Sequence, residues 1–470
     1  MPRIYGLETE YGLVGLARAE HGVRRLTADD AAQRLFALVA RENRSTNVFL
    51  RNGGRLYLDV GSHPEYATAE CASPADLVVA ERAGDAIVAR LAERAAEAEA
   101  AEGRDVSFAL FKNNVDAHGN TFGSHENYLV GRGTDPEVLS RWLIGFLVSR
   151  QLIAGAGRWR RGTFTLSQRC DVLGDVVSNQ TTRSRPLINT RDEPHADPAV
   201  HRRLHVISGD SNLSEAASAL KVGATELVLR LAESGRPAPP GPADPLSALR
   251  AWGHDPDAAV ELVDGTSASC RDVQERYCAF ARDVAEDAEW TPWRDTLDAL
   301  ARGEAPPAAE WAVKRRLIET YRDRHGLADA DPRLDALDLR WHELGRGPGG
   351  RPLGLARLLE ERGALPRLST PDAVADAARS PASPTRAVVR ARLLAAAQAA
   401  ERSYAADWAS FTVHDLPAAP GDRRPADVTL RLDDPFATRD AAADDLAGRM
   451  RSEPRARLTR GFVPPGPSTA

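Results

Sequence analysis

Residues 55–60 alternate strictly between polar and apolar side chains. Arg55, Tyr57 and Asp59 fall on one side of an extended chain, and Leu56, Leu58 and Val60 on the other. This two-residue period predicts a strand that lines a cation, a phenol and a carboxylate over an apolar floor; a strand with one solvated face alternates in the same way. Asn52-Gly53 just before it predicts a turn, and hence a hairpin, while His63-Pro64-Glu65 adds polar groups a few residues beyond Asp59. Further strands are predicted over 4–11 and 106–111. A helix is predicted from Ser73, with Pro74 at the first helical position and Leu77, Ala80, Ile87 and Leu91 at helical spacing.

Beyond these elements, 141–152 and 214–234 read as amphipathic helices and 236–242 as a Pro-rich loop. From 246 to 402 the pattern is mainly helical, broken by a Gly/Pro loop over 345–354 and a turn near Ser380. Past Trp408, strands are predicted at 411–413 and 428–432, then a helix ending near Met450. Strands and helices segregate along the chain, which predicts an α+β fold. The expected units are a catalytic domain over 1–402, a small C-terminal domain over 403–452 and a disordered tail over 453–470.

The 470 residues carry 43% hydrophobic and 27% charged side chains, an ordinary globular composition. A net charge of -6 argues against a nucleic-acid binder that works by broad electrostatic attraction. The apolar runs fall short of the roughly 18 residues of a membrane span, so a cytoplasmic protein is expected. Cys71, Cys170, Cys270 and Cys278 are irregularly spaced, which predicts buried free thiols in place of a zinc ribbon or disulfide framework.

Several groups carry candidate chemistry. Glu8 and Glu10 point to one face of the first strand, where they would grip a hard cation such as Mg²⁺, or simply face solvent. Arg183, Arg185 and Arg191 belong either to a phosphate or carboxylate site or to a loop of structural ion pairs. His205 sits in an alternating segment, with metal or phosphate contact and a structural role both open. There is no P-loop motif, and the Gly-rich run at 345–350 follows no predicted strand, so it is read as a flexible loop.

Taken together, 6–12, 47–53, 55–71, 123–128, 189–197 and 203–207 resemble the Pup ligases, of the carboxylate-amine ligase superfamily that includes glutamine synthetase. The resemblance covers nearly the whole chain. It implies a large glutamine synthetase-like domain, an antiparallel sheet cradle packed by helices, and the small C-terminal domain. It also implies Mg²⁺ ligands at Glu8, Tyr57 and Glu65, ATP contacts at Arg55, Thr68 and Trp408, and a catalytic aspartate at Asp59. Glu10, Glu70, Asn127, Arg191 and His205 lie in matching motifs and are expected to line the same cradle.

The implied enzyme uses ATP to phosphorylate the C-terminal glutamate of Pup, a small ubiquitin-like protein. It then joins that side chain to a target lysine, marking the target for the bacterial proteasome. A lysine is protonated near neutrality, with a pKa of about 10.4, so the amine needs a base, and Asp59 is the candidate. Pup is expected in a groove whose basic wall includes Lys314, Arg315, Arg316, Arg322 and Arg324, unless these form a solvated helix face. The sister deamidase or depupylase carries a long insertion before the Asn-Gly turn, whereas the connection here is short. A small-molecule ligase and a noncatalytic Pup-binding adaptor are the remaining alternatives; the intact Glu8, Tyr57, Asp59 and Glu65 weigh against the adaptor.

Overall fold

The strand expected over 4–11 forms as β1 (Tyr5–Glu10) and runs through Tyr11 directly into β2 (Gly12–Ala19), which belongs to a different sheet. The structure, a computed structural model, describes residues 2–452 except 21, 117, 180–184 and 418–424. Arg183 and the tail over 453–470 therefore lie outside the described residues. Tyr11 marks the switch between sheets, fully buried with its hydroxyl donating to Asp85 at 3.0 Å.

After β3 (Gly22–Arg25) comes α1 (Ala28–Asn43), a helix not predicted from the sequence, capped by the Thr27 hydroxyl. β4 (Val48–Phe49) and β5 (Arg55–Asp59) then pair as the expected hairpin, with Phe49 opposite Arg55. Gly53 makes that turn possible: its φ is +80°, and a Cβ there would meet Ala387 at 2.8 Å. A second tight turn, closed by the Ser62 amide donating to the Asp59 carbonyl at 3.1 Å, leads into β6 (His63–Ala67).

Helix α2 (Pro74–Ala101) starts as the sequence predicts, with Ser73 capping and Pro74 at the first position. It is followed by β7 (Asp105–Phe111), β8 (Ser124–Gly131) and α3 (Pro136–Ser149). Asp135 caps α3, so the helix begins five residues before the expected start at 141. The remaining strands of the large sheet are β9 (Asp175–Ser178), β10 (Pro186–Asn189) and β11 (His201–Val206), and α4 (Glu215–Glu233) follows, capped by Ser214.

The large sheet has the order β9-β10-β11-β8-β1-β6-β5-β4 and is antiparallel except for the β9–β10 pair. A smaller sheet joins β3, β2, β7 and β12 (Glu343–Leu344), the last an interruption of the helical region over 246–402. One face of the large sheet is sealed: Tyr5, Leu7, Tyr128 and Val206 pack against Trp142 and Phe146 of α3 and Val228 of α4. Such aromatic packing dominates the energetics of a core of this size and leaves the opposite face free to carry polar groups.

The chain ends in α5 (Arg386–Ala399), the three-stranded sheet β13 (Tyr404–Asp407), β14 (Ser410–Pro417) and β15 (Pro425–Arg431), and α6 (Ala441–Ser452). Val389, Leu393 and Leu394 of α5 share one core with Phe411, Val413, Leu446 and Met450, and Phe49 of β4 inserts into it. The four cysteines are buried and free. Among the described residues no helix is long and apolar enough to cross a membrane.

Candidate active site

The free face of the large sheet collects side chains at alternate positions of five strands. Across the β1–β6–β5 ladder, Glu10 stands opposite Glu65 and Glu65 opposite Tyr57; one step along, His63 faces Asp59. Across β1–β8–β11, Glu8 faces His125 and Asn127 faces His205. Arg55, Tyr57 and Asp59 thus do share the site face, and Leu56 goes to the core. Val60 does not belong to the apolar floor: the strand has already ended, and Val60 is 72% exposed in the turn over 59–62.

Glu10, Asp59 and Glu65 bring ligand atoms within 4.8 Å of one another, and Glu8, His125 and His205 do the same. Glu65 is pushed well above the usual carboxylate range by burial first and then by the charges of Glu8 and Glu10. The Tyr57 hydroxyl donates to Glu65 Oε1 at 2.5 Å. Burial, and then the charges of Glu65 and Glu8, hold that phenol far above its ordinary pKa, so it offers a cation a neutral oxygen. Glu10 lies 3.0 Å from His63 Nδ1.

Glu8 is better compensated. Burial opposes its ionisation, but a hydrogen bond from His125 Nδ1 at 3.1 Å and the Arg203 guanidinium at 3.8 Å hold it below the carboxylate range. Asn127 donates to Glu8 at 3.1 Å and accepts from Arg203 at 3.2 Å. His205 is kept neutral, its pKa pushed down to about 3 by burial against the pull of Glu8. Both its ring nitrogens, and Nε of Arg203, lack a hydrogen-bond partner among the described residues. Asp59 is half-buried at the end of its strand; burial raises its pKa, the Val60 amide opposes this and Glu10 reinforces it.

A cleft adjoins the acids, bordered by Glu8, Thr68, Asn127, Arg203, Arg386 and Trp408. The Thr68 hydroxyl accepts from the Leu7 amide at 3.1 Å, and Trp408 packs edge-on to Phe49 at 4.9 Å between centroids. Arg55 sits beside this wall, its guanidinium over the Tyr57 ring at 4.8 Å and its Nε donating to Asn47.

A sequence model of the family described as Pup-ligase protein matches residues 3–412. The chain belongs to the Pup ligase family. The Pup–protein ligase of Rhodococcus erythropolis strain PR4 is 41% identical over 466 residues, spanning 95% of this chain and 99% of the relative. That of Kribbella flavida is 43% identical over 467 residues, with the same coverage. Among solved structures, the complex between the prokaryotic ubiquitin-like protein Pup and its ligase PafA superposes with a TM-score of 0.85 at 36% identity, covering 96% of this chain and 92% of that one. The Pup ligase PafA in complex with ADP gives a TM-score of 0.78 at 36% identity, covering 92% and 96% respectively.

Within this Pup ligase fold, two residues expected to line the cradle stand apart from the acids. Glu70 borders the cleft but is buried in a pair with two arginines, where Arg386 Nε donates to it at 2.7 Å and Arg390 Nη2 at 2.6 Å. Arg191 lies on an exposed loop at the rim, with Glu193 at 3.7 Å. The basic wall also changes. Lys314 is fully buried, 2.6 Å from Asp338, and Arg315 and Arg322 pair with acids on their own helix or nearby. The site acquires His125, Arg203, Arg386 and Arg390, which the sequence reading left without roles. Arg203 and His205 share a face by alternation, a signal the sequence did contain. Arg386 and Arg390 are two arginines among many on a helix far along the chain, and nothing in their spacing marks them.

Proposed function

We propose that the chain is an ATP-dependent ligase that joins the C-terminal glutamate of Pup, through its side-chain carboxylate, to lysines of target proteins destined for the bacterial proteasome. One observation carries the reading: a group of carboxylates with too little cationic compensation shares a sheet face with the cleft bordered by Thr68 and Trp408 and with the half-buried Asp59. The donor set is all oxygen around Glu65, which fits a hard cation. Glu8, Glu65 and the Tyr57 hydroxyl, with Glu10 alongside, would hold Mg²⁺, whose charge would offset that of the ATP phosphates.

ATP is a substrate here. Thr68 and Trp408 line its cleft, and Arg55 and Arg203 supply fixed cations at either side. A free carboxylate is a poor acylating agent, so a side-chain oxygen of the Pup glutamate attacks the γ-phosphorus of ATP; the bond from that phosphorus to the β,γ-bridging oxygen breaks, ADP leaves, and a γ-glutamyl phosphate results. The lysine amine then attacks the glutamyl carbon: the C–N bond forms, phosphate leaves and one amine proton passes to Asp59. The depressed side of the carboxylate range would make Asp59 a weak base; burial and Glu10 move it the other way. We place the reaction in the cytoplasm, where ATP, Pup and targets meet and free thiols such as the four of this chain persist.

Incubation with ATP, Mg²⁺, Pup ending in glutamate and a lysine-bearing target yields a covalent conjugate and ADP, and omission of Mg²⁺ suppresses both. Release of Pup from a preformed conjugate, with no ligation, would assign the chain to the deamidase or depupylase branch instead.

A further inference from the structure

The chain has 61 basic residues, and only three are lysine: Lys112, Lys221 and Lys314. Each is at most 1% exposed. Lys112 reaches Glu81 at 2.8 Å and Asp85 at 3.2 Å beneath α2. Lys221 donates to the Asp210 carbonyl at 2.8 Å. Lys314 donates to the Gly157 carbonyl at 2.8 Å and lies 2.6 Å from Asp338. Every cationic side chain outside these three sites is arginine, including all those beyond the described residues.

From this we infer that the enzyme is excluded from its own pool of targets: it presents no lysine amine to the acyl phosphate it makes. The inference rests on the ligase reading above. The acyl transfer needs a primary amine that reaches the glutamyl carbon and gives up a proton. A guanidinium meets neither need, because it stays charged and its nitrogen lone pairs are delocalised. A buried lysine would have to leave its partners through a local opening of the core before reacting.

The physical pressure runs the other way, since a surface lysine on the enzyme stands at high effective concentration near its own active site or that of a second copy. Arginine on the surface keeps the solvated positive charge and removes the nucleophile. The consequence for self-modification holds whatever favoured arginine in this chain.

The test uses the full-length enzyme with ATP, Mg²⁺ and Pup ending in glutamate, with and without a separate lysine-bearing target, read by intact mass. The expected result is that the target gains one Pup less one water while the mass of the enzyme does not change. A self-conjugate on the unaltered enzyme, at a lysine or at the chain's own α-amine, overturns the inference.

A second arm places lysines at Arg90, Arg141 and Arg379, exposed side chains whose acid partners lie within seven residues along the chain. The variant R90K/R141K/R379K is expected to acquire self-conjugates mapped to those positions while modifying the separate target at the parental rate. That rate also reports that the variant has folded, and the three single variants repeat the measurement. Absence of self-conjugates despite parental activity on the target overturns the inference, because something other than lysine burial would then protect the enzyme. Failure of the unaltered enzyme to modify the separate target would instead sink the ligase reading itself.

Discussion

At the scale of single residues, the site separates charge stabilisation from proton transfer by position on one strand. Tyr57 points between the acids, while Asp59 stands two residues on, where the strand ends and burial is only partial. Asp59→Asn keeps the shape and removes the base. It is expected to lower conjugation by about 100-fold or more, the usual weight of a general base, while nucleotide affinity measured by calorimetry stays near the parental value. Conjugation at the parental rate would remove Asp59 from the mechanism. The alternation over 55–59 made these three side chains legible from sequence, because a strand's period is rigid. It overran at Val60, although Gly61-Ser62 directly after it is a turn signal, and both residues take a positive φ.

At the scale of elements, β6 carries Glu65 toward the site and Tyr66 toward α2. Tyr66 lies directly on Gly84 of that helix, where an ideal Cβ would stand 2.2 Å from the Tyr66 ring, and its hydroxyl accepts from Asn52 at 2.8 Å. The strand is thus seated on a helix that has been thinned to receive it. Gly84→Ala should overpack this contact, lowering stability by about 1–3 kcal/mol in chemical denaturation. It should also slow conjugation, because displacement of Tyr66 moves Glu65. A variant as stable and active as the parent would show that the helix shifts freely. Helix α2 itself was legible through Ser73 and Pro74, whereas the glycine in its middle reads from sequence only as a weak helix former.

At the scale of the molecule, Glu70 ties the two ends of the chain together. Arg386 bonds both Glu70 and the Leu432 carbonyl, and Arg390 bonds Glu70, the Gly53 carbonyl and the Trp408 carbonyl. One buried carboxylate therefore fixes the hairpin turn, α5 and the Trp408 wall of the cleft. Burial works against its ionisation, but the two guanidinium groups outweigh that and bring its pKa down to about 2. Against an unfolded value of about 4.3, this corresponds to about 3 kcal/mol of stability, present above that pH and lost as pH falls toward 2. The stability deficit of Glu70→Gln, followed by denaturation at a series of pH values, should therefore be full near neutrality and shrink through that window. A deficit independent of pH would mean that the pair contributes shape and not charge. By itself the sequence determined β1, β5 and β7, the start of α2 and the polar face of β5, since these follow from local periods and caps that any folded context must respect. Only the tertiary structure decided that Glu70 serves as a clamp and Glu65 as an under-compensated acid, that the lysines are buried, and that Arg203, Arg386 and Arg390 have their roles. Each of those depends on which charges from distant segments meet in a place without water, and Coulomb energy and desolvation are set by that meeting, not by position along the chain.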